Sequence, residues 1–331
     1  MRVLITGYCG FVGPFLAEGC LAQGDEVFGS TFLSLERRRR QWGSLDALAP
    51  TRRCDFTKPA EVAELVRWAK PERIFHLVAQ SHVPTSFKNP ELTCAINIDG
   101  ASSLLDAARE QAAATGPPRL LFIGSGQQYG QADKRDLPLT ETAPLNPPNP
   151  YAASKCEQED LALSSGLPVH CARAFNHIGP GQSPDFAVAA FARQLAQIKL
   201  GRRENVVRTG NLDVWRDFTD VRDVVRAYLD IIELEPAGEI FNVASGRETR
   251  LGDILQMLIE IAEVEVEVIR DPELFRPVDQ PHNYGDCRKL HKRTGWQPEI
   301  SLAQSLSDVF EDWLAQEQEP PAQEQEGLAQ E

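Results

Sequence analysis

Long apolar runs are absent from this sequence of 331 residues. No run approaches the roughly 20 consecutive apolar residues that a membrane-spanning helix needs. The N-terminus, MRVLITGYCGFVGPFLAEG, lacks the charged start and the cleavage site of a signal peptide. We therefore expect a soluble cytoplasmic protein with no membrane partner.

Positive charge is also scarce. The chain has 34 Lys and Arg residues against 48 Asp and Glu residues, which gives a formal net charge of -14 at pH 7. Broad electrostatic affinity for nucleic acid requires a basic surface. The composition therefore predicts that nucleic acid is not a partner.

Cysteine spacing gives no sign of a metal site or a disulfide framework. The seven cysteines are an odd number, lie far apart and include no C-x-x-C pair. No group of His, Cys and Asp residues has metal-ligand spacing either. We predict free, mostly buried thiols in a reducing compartment, and no bound metal.

What the sequence does contain is an alternation of short apolar strands with longer helical patterns. This alternation predicts an α/β fold, a doubly wound parallel sheet of the Rossmann type. We expect the sheet domain at 1–174 and about 217–245, and a smaller C-terminal α/β lobe for the substrate at about 175–216 and 246–314. The Gln- and Glu-rich tail, 315–331, is predicted to be disordered.

A glycine-rich segment, TGYCGFVG, directly follows the first apolar strand and opens a helix. The first glycine permits a tight turn, the second lets backbone N–H groups approach a pyrophosphate, and the third allows close packing of helix on strand. This context predicts a dinucleotide site. Its residues are Thr6, Gly7, Gly10, Phe11, Val12 and Gly13.

The choice between NAD and NADP depends on the end of the second strand. An NAD site usually has a carboxylate there, whereas an NADP site has an arginine nearby for the extra phosphate. This chain has Thr31 at that position, and four arginines begin at Arg37. We predict NADP with Arg37 near its phosphate; NAD stays open, because an arginine run is equally typical of a solvated helix face.

Tyr151 and Lys155 lie four residues apart, on one face of the helix that follows a proline-rich loop. Tyrosine has a reference pKa of about 10, and a neighbouring ammonium group lowers that pKa. Ser125 ends an apolar strand, at the sheet edge where ligands bind in open α/β folds. These three residues are the predicted catalytic group for proton transfer to a substrate oxygen.

Together these motifs resemble the extended short-chain dehydrogenase/reductase family, in the branch that modifies nucleotide-activated sugars. The resemblance covers nearly the whole chain short of the tail. The matching positions are the cradle at Thr6 to Gly13, Asp55, HLVAQSHV at 76–83, Asn97, Ser125 with Tyr129 and Gly130, and Tyr151 with Lys155. Further cofactor contacts that the resemblance implies are Asp55 and Phe56 near the adenine, Val78, Ala79, and Lys155 on the nicotinamide ribose.

The resemblance also implies a nucleotide-sugar substrate, most like a GDP-mannose derivative, because of AFNHIGPGQSPDF at 174–186, a stretch we otherwise interpret as a loop. It places Asn176 on the sugar diphosphate and Arg216 and Arg276 on the phosphates, which suits the forked guanidinium group. The alternative is that both are surface arginines paired with a nearby aspartate.

His82 and Gln127 are further candidates for contact with the sugar, although His82, like His177, is also compatible with a packing role in a loop. The helix near 92–112 and the helix that begins at 151 resemble those that form the family's dimer. We therefore expect a homodimer.

The residues after Ser125 indicate the reaction. A 4,6-dehydratase needs acid–base groups at the sugar, and in that subfamily carboxylates follow the Ser or Thr. Here the residues are Gly126 and Gln127, which cannot transfer protons. The leading hypothesis is NAD(P)H-dependent reduction of the 4-keto group of a GDP-linked 6-deoxyhexose; a UDP-sugar 4-epimerase is second and GDP-mannose 4,6-dehydratase third. A non-enzymatic NADP-sensing regulator on the same fold is the alternative from another class.

Overall fold

The computed structural model describes residues 1–32, 48–275 and 280–318. Two residues with predicted roles, Arg37 at the cofactor phosphate and Arg276 at the substrate phosphates, lie outside the described residues.

Thirteen strands are present in the described residues. They are β1 (Arg2–Thr6), β2 (Glu26–Thr31), β3 (Thr51–Arg53), β4 (Arg73–His76), β5 (Arg119–Ser125), β6 (Val169–Ala174), β7 (Asn176–Ile178), β8 (Val206–Thr209), β9 (Trp215–Asp220), β10 (Ile240–Val243), β11 (Glu248–Arg250), β12 (Glu267–Arg270) and β13 (His282–Asn283).

The α-helices of the same residues are α1 (Gly13–Ala22), α2 (Pro59–Ala69), α3 (Val83–Lys88), α4 (Pro90–Cys94), α5 (Gly100–Thr115), α6 (Pro150–Leu163), α7 (Ala187–Lys199), α8 (Val221–Ile232), α9 (Leu251–Ala262), α10 (Arg288–Thr294) and α11 (Leu302–Gln318). A π-helical turn, Ala95–Asp99, joins α4 to α5. A 3-10 turn, Gly126–Tyr129, follows β5.

Seven of the strands form one parallel sheet, in the order β10-β6-β5-β4-β1-β2-β3. Strands β2 and β3 are therefore added on one side of β1, and β4, β5, β6 and β10 on the other. The strand order reverses between β1 and β4. Ligands bind at this point in open α/β sheets, beyond the carboxyl ends of the strands. The predicted doubly wound parallel sheet is confirmed.

Both faces of this sheet are covered, as its apolar strands require. Side chains alternate along β1, so that Val3 and Ile5 join one core cluster while Leu4 joins the other. The first cluster includes residues of α1 and α8, and the second includes residues of α2, α5 and α6. These helices fix the positions of the strand ends at which the predicted site lies.

The smaller lobe contains a second sheet, in the order β11-β9-β13, with β7 also paired to β9, and the separate pair β12-β8. Its apolar core lies among α7, α9 and α11. The stretch at 174–186, interpreted as a loop from the sequence, contains β7. A strand of three residues is too short to show an alternation of apolar and polar side chains. Its partner β9 lies about forty residues further along the chain, so no local pattern reveals the pairing.

The tail begins later than predicted. Helix α11 continues to Gln318, so the prediction of disorder is wrong for residues 315–318. Glu317 holds this last turn on α7, because its Oε1 accepts hydrogen bonds from Arg193 Nε at 2.8 Å and Gln197 Nε2 at 3.0 Å. Residues 319–331 lie outside the described residues.

The seven cysteines are free thiols, and Cys9, Cys20, Cys54 and Cys171 are buried. Among the helices described, none is long and apolar enough to cross a bilayer. Within the same residues, no three or more His, Cys, Asp or Glu side chains are grouped to hold a metal ion.

A buried carboxylate ties the second sheet to the loop that follows β10. Asp217 on β9 is 0% exposed, and it accepts hydrogen bonds from Ser245 N at 2.7 Å, Ser245 Oγ at 2.7 Å and Gly246 N at 3.0 Å. Burial raises the pKa of Asp217 to about 6 in spite of these donors. The carboxylate therefore orders two chain segments that the sequence does not place next to each other.

We expect Asp217→Ala to lower the free energy of unfolding by at least about 3 kcal/mol, because it leaves several buried donors without acceptors. Asp217→Asn keeps one acceptor oxygen, so its free energy of unfolding should fall by clearly less. Urea denaturation of both variants at pH 7 measures this difference. Equal stability of Asp217→Ala and the unmodified chain would contradict the role given to the carboxylate.

Candidate functional site

The glycine-rich segment forms a tight turn between β1 and α1. Gly7 has a positive φ of 69°, and its N–H donates to Ser30 Oγ at 3.3 Å. A Cβ atom at Gly13 would lie 2.0 Å from the Tyr8 carbonyl oxygen, so no side chain fits there. The turn therefore brings bare backbone to the N-terminus of α1, which fits the pyrophosphate of a dinucleotide.

Neighbouring strand ends complete this cradle. The N–H of Val78, after β4, donates to Thr6 Oγ1 at 3.4 Å, and a Cβ atom at Gly7 would lie 3.1 Å from that same nitrogen. The structure thus brings Thr6, Gly7 and Val78 together, with Ala79 next in the chain.

The predicted adenine contacts lie beyond β2 and β3. Thr31 ends β2 and is buried. The Asp55 carboxylate accepts hydrogen bonds from Thr57 Oγ1 at 2.7 Å and Thr57 N at 3.0 Å, and these bonds lower its pKa. Phe56 is buried, and its ring centroid lies 5.6 Å from that of His76 at the end of β4. These residues therefore lie along one edge of the sheet.

Tyr151 and Ser125 are buried neighbours at the start of α6 and the end of β5. The Asn149 side chain caps α6 by accepting the Ala152 N–H at 2.8 Å, and Pro150 follows it, so Tyr151 lies in the first helical turn. The Ser125 hydroxyl lies near enough to the Tyr151 phenol to affect its pKa, and both residues are 8% exposed. Burial raises the pKa of Tyr151, while the Ser125 hydroxyl opposes that rise.

Lys155 is buried one turn further along α6. Its Nζ donates to the Ile123 carbonyl at 2.8 Å and to Gln158 Oε1 at 2.9 Å. Burial lowers the pKa of Lys155 to about 7. Gln158 in turn donates to the Asn97 carbonyl at 3.1 Å. The sequence reasoning missed Gln158, although its i, i+3 spacing from Lys155 was an available signal.

A buried ion pair supports the backbone of Ser125. The Ser125 N–H donates to Gln128 Oε1 at 2.7 Å, and Gln128 Nε2 donates to Glu159 Oε2 at 3.4 Å. Arg173 on β6 binds Glu159 through two hydrogen bonds, of 2.9 Å from Nε and 2.6 Å from Nη2. Glu159 and Arg173 are each 4% exposed. Sequence reasoning missed this pair, because its members lie on different elements.

The turn after Ser125 has no room for a further side chain. A Cβ atom at Gly126 would lie 2.7 Å from the ring of Phe175, which is buried. The Gln127 amide oxygen accepts from Asn149 Nδ2 at 3.2 Å, so this amide faces the start of α6. Both positions at which a dehydratase would have carboxylates are therefore occupied by groups that transfer no proton.

Two of the predicted substrate residues are linked to this turn through their neighbours, Phe175 and Asn283. Asn176 follows β6 closely, and its Nδ2 donates to the Asp217 carbonyl at 3.1 Å. Arg216 on β9 pairs in register with Asn283, whose Nδ2 donates to the Gly126 carbonyl at 3.2 Å. Arg216 Nη1 donates to the Gln280 carbonyl at 2.6 Å.

The two histidines differ in their surroundings. His82 precedes α3, and its Nδ1 hydrogen-bonds Thr85 Oγ1 at 2.8 Å. His177 stacks on Phe11 of the glycine-rich turn, with ring centroids 5.7 Å apart and planes at 3°. Burial lowers the pKa of His177, which favours a neutral ring. His177 thus joins the cradle to the segment that contains Asn176.

Comparison with known proteins agrees with this geometry. A family model described as GDP-mannose 4,6 dehydratase matches residues 4–309. The chain belongs to this family of extended short-chain dehydrogenases/reductases. The family is one of NAD(P)-dependent enzymes that act on nucleotide sugars, and the resemblance drawn from the sequence motifs is confirmed.

Relatives within the family differ in their named activity. GDP-6-deoxy-D-mannose reductase of Pseudomonas aeruginosa is 37% identical over 94% of this chain and 97% of that protein. The structure of RMD from Pseudomonas aeruginosa complexed with NADPH is 35% identical, with a TM-score of 0.81, and covers 96% of this chain and 100% of its own. UDP-glucose 4-epimerase of Thermus thermophilus in complex with NAD is 29% identical, with a TM-score of 0.81, over 95% and 99% of the two chains.

The depressed pKa of Lys155 predicts a pH-dependent affinity for dinucleotide. Because the ammonium group loses its proton above about pH 7, we expect the affinity for NADH to fall from pH 7 to pH 9, by at most about tenfold per pH unit. Fluorescence titration with NADH measures this, since NADH has no 2′-phosphate that titrates near pH 6.

Two variants separate the contributions to this pH dependence. Lys155→Met should make the affinity independent of pH in this range. Gln158→Leu removes a hydrogen bond to the charged form, so it should move the fall to lower pH. An affinity of the unmodified chain that stays constant from pH 6 to pH 9 would exclude Lys155 as the titrating group.

Proposed function

We propose that this chain catalyses NADPH-dependent reduction of the 4-keto group of GDP-4-keto-6-deoxymannose, which yields a GDP-6-deoxyhexose for glycan synthesis. The observation that carries the proposal is the turn after Ser125, where Gly126 packs against Phe175 and Gln127 carries an amide. Dehydration needs proton transfer to and from the sugar at several atoms, whereas reduction of a ketone needs one proton.

The packing around Gly126 is the structural reason why the site favours ketone reduction over dehydration. An Asp or Glu at position 126 would displace the buried ring of Phe175, which also approaches Gly285. The nearby carboxylate of Glu159 is taken up by Arg173 and Gln128, so it is not available to a substrate. The site therefore supplies the groups for carbonyl reduction and lacks those that the dehydratase subfamily places next to its Ser or Thr.

In the proposed reaction, Tyr151 donates its phenolic proton to the carbonyl oxygen of the sugar. Burial raises the pKa of Tyr151, which keeps the phenol protonated at neutral pH as a general acid must be. The Ser125 hydroxyl polarises the same carbonyl, and Gln128 fixes the Ser125 backbone. When bound in the glycine-rich cradle, the reduced nicotinamide supplies the hydride.

The remaining residues bind and orient. In this proposal Lys155 holds the nicotinamide ribose, and its ammonium group favours the tyrosinate that remains after proton donation. Asn176 follows Phe175, which packs on Gly126, and Arg216 pairs in register with Asn283; in this proposal both bind the diphosphate of the nucleotide sugar. The 37% identity to the reductase, and the NADPH in the structure of RMD, support both the reaction and the cofactor.

The homodimer and the domain limits inferred from the sequence stay predictions. The outer surfaces of α5 and α6, proposed to pair with a second copy, carry exposed residues that include Asp106, Ala153 and Glu157.

Reductase activity is tested by mixing the protein with NADPH and GDP-4-keto-6-deoxymannose and following the absorbance of the reduced nicotinamide. We expect oxidation of NADPH and a GDP-6-deoxyhexose product in the NMR spectrum. Tyr151→Phe should lower kcat by about 10² to 10⁴-fold, because it removes the general acid. If NADPH is not oxidised, or if Tyr151→Phe retains full activity, the proposal is wrong.

The dehydratase alternative is tested with GDP-mannose and NADP⁺. Because Gly126 and Gln127 transfer no proton, we expect GDP-mannose to remain unchanged in the NMR spectrum over hours. Formation of the 4-keto product would show that a carboxylate from elsewhere in the fold performs the dehydration. Incubation with UDP-glucose and NAD, under the same conditions, tests the epimerase alternative by the appearance of the 4-epimer.

A further inference from the structure

The carboxyl ends of β2 and β3 place an arginine beside Thr31. The two strands are parallel, and Thr31 pairs in register with Arg53. The Cys54 N–H donates to the Thr31 carbonyl at 2.9 Å, so the pairing holds to the last residue of each strand. Residues paired in register point to the same face of a sheet. Arg53 and Thr31 therefore lie side by side on one face at this edge.

This is the edge that receives the adenosine ribose in a dinucleotide fold, where a carboxylate at the end of β2 selects NAD. Here the end of β2 is Thr31 followed by Phe32, and no carboxylate occupies either position. Arg53 brings a positive charge there instead. This charge attracts the nearby Asp55 carboxylate, whose pKa it lowers, and it suits an anionic group on the ribose better than the carboxylate of an NAD site would.

Within the part of the chain that the structure describes, Arg53 forms no ion pair. Its guanidinium carbon lies 5.3 Å from the ring centroid of Phe32, a side chain that is 62% exposed. The carboxylate of Asp55 is close in sequence, but it accepts both hydrogen bonds from Thr57 and lies 3.7 Å from Lys58 Nζ. The ring of Phe32 therefore orients the Arg53 fork without neutralising its charge.

The neighbouring arginine has a different environment. Arg52 points to the opposite face of β3, where its guanidinium carbon lies 4.6 Å from the ring centroid of Trp68 on α2. The two residues share the strand, the charge and an aromatic partner, yet only Arg53 shares the face of Thr31. Arg52 is therefore a matched control.

We propose that Arg53 binds the 2′-phosphate of NADP and, with Thr31 in place of an acidic residue, selects NADP over NAD. The inference rests on the cofactor choice in the proposed function, and it assigns that choice to a residue on β3. A 2′-phosphate carries a charge of about −1.5 to −2 at pH 7, and a guanidinium fork matches two of its oxygens. Binding of the adenine, the 5′-phosphates and the nicotinamide does not depend on this contact.

Equilibrium binding without any sugar substrate tests the proposal. The probes are NADPH against NADH, and adenosine 2′,5′-bisphosphate against 5′-AMP, followed by protein fluorescence or calorimetry. The unmodified chain should bind the 2′-phosphorylated member of each pair more tightly. Arg53→Ala should weaken binding of NADPH and of the bisphosphate by about tenfold to a hundredfold, and change binding of NADH and 5′-AMP by less than about twofold.

Further variants exclude an indirect effect. Arg52→Ala should leave both affinity ratios unchanged, and Arg53→Lys should retain part of the preference through its charge. Thr31→Asp should shift the preference toward NADH, because it places a carboxylate beside Arg53.

The proposal is overturned if the unmodified chain binds both members of a pair equally, if Arg53→Ala weakens all four ligands alike, or if Arg52→Ala has the same effect as Arg53→Ala. Because no keto sugar is present, a failure of the reductase assay leaves these results unaffected. Conversely, loss of the NADPH preference in Arg53→Ala says nothing about which sugar is reduced.

Discussion

The buried ion pair between Arg173 and Glu159 is the interaction on which the site depends. It joins β6 to α6, and through Gln128 it fixes the backbone of Ser125 at the end of β5. Removing two charges from water costs several kcal/mol per ion, and only good geometry and further hydrogen bonds offset that cost. Here Arg173 also donates to Tyr129 Oη at 2.9 Å. The pair is costly, but it holds three separate elements in one arrangement.

Lys155 is a second charged group whose burial has a cost in solvation free energy. An ammonium group that is 3% exposed is poorly solvated, which is why its pKa falls to about 7. The carbonyl of Ile123 and the amide of Gln158 partly replace the lost water. A lysine at the surface would keep its charge more easily, but it would not lie one helical turn from Tyr151 in the interior. A buried lysine therefore costs folding stability, as groups kept for function commonly do.

Local patterns in the sequence are sufficient to predict the parallel sheet, the glycine-rich turn, the position of Ser125 at a strand end and that of Tyr151 and Lys155 on one helix. Each depends on a short spacing or on the end of a strand, so neighbouring residues reveal it. What could not be predicted depends on contacts between distant segments. Glu159 meets Arg173 across two elements, and Arg53 meets Thr31 only because β3 pairs with β2 in one register. An arginine near Asp55 carries no signal until that register is known.

The type of reaction illustrates how packing and chemistry are linked. Gly126 is a weak signal in a sequence, where a glycine after a strand is most simply a turn residue. In the structure, the ring of Phe175 fills the space that a side chain at this position would need. An acid–base group could be introduced there only with a smaller residue at position 175 and a rearranged turn. The volume of this aromatic ring therefore excludes an acid–base side chain at position 126, while position 127 carries an amide, which transfers no proton.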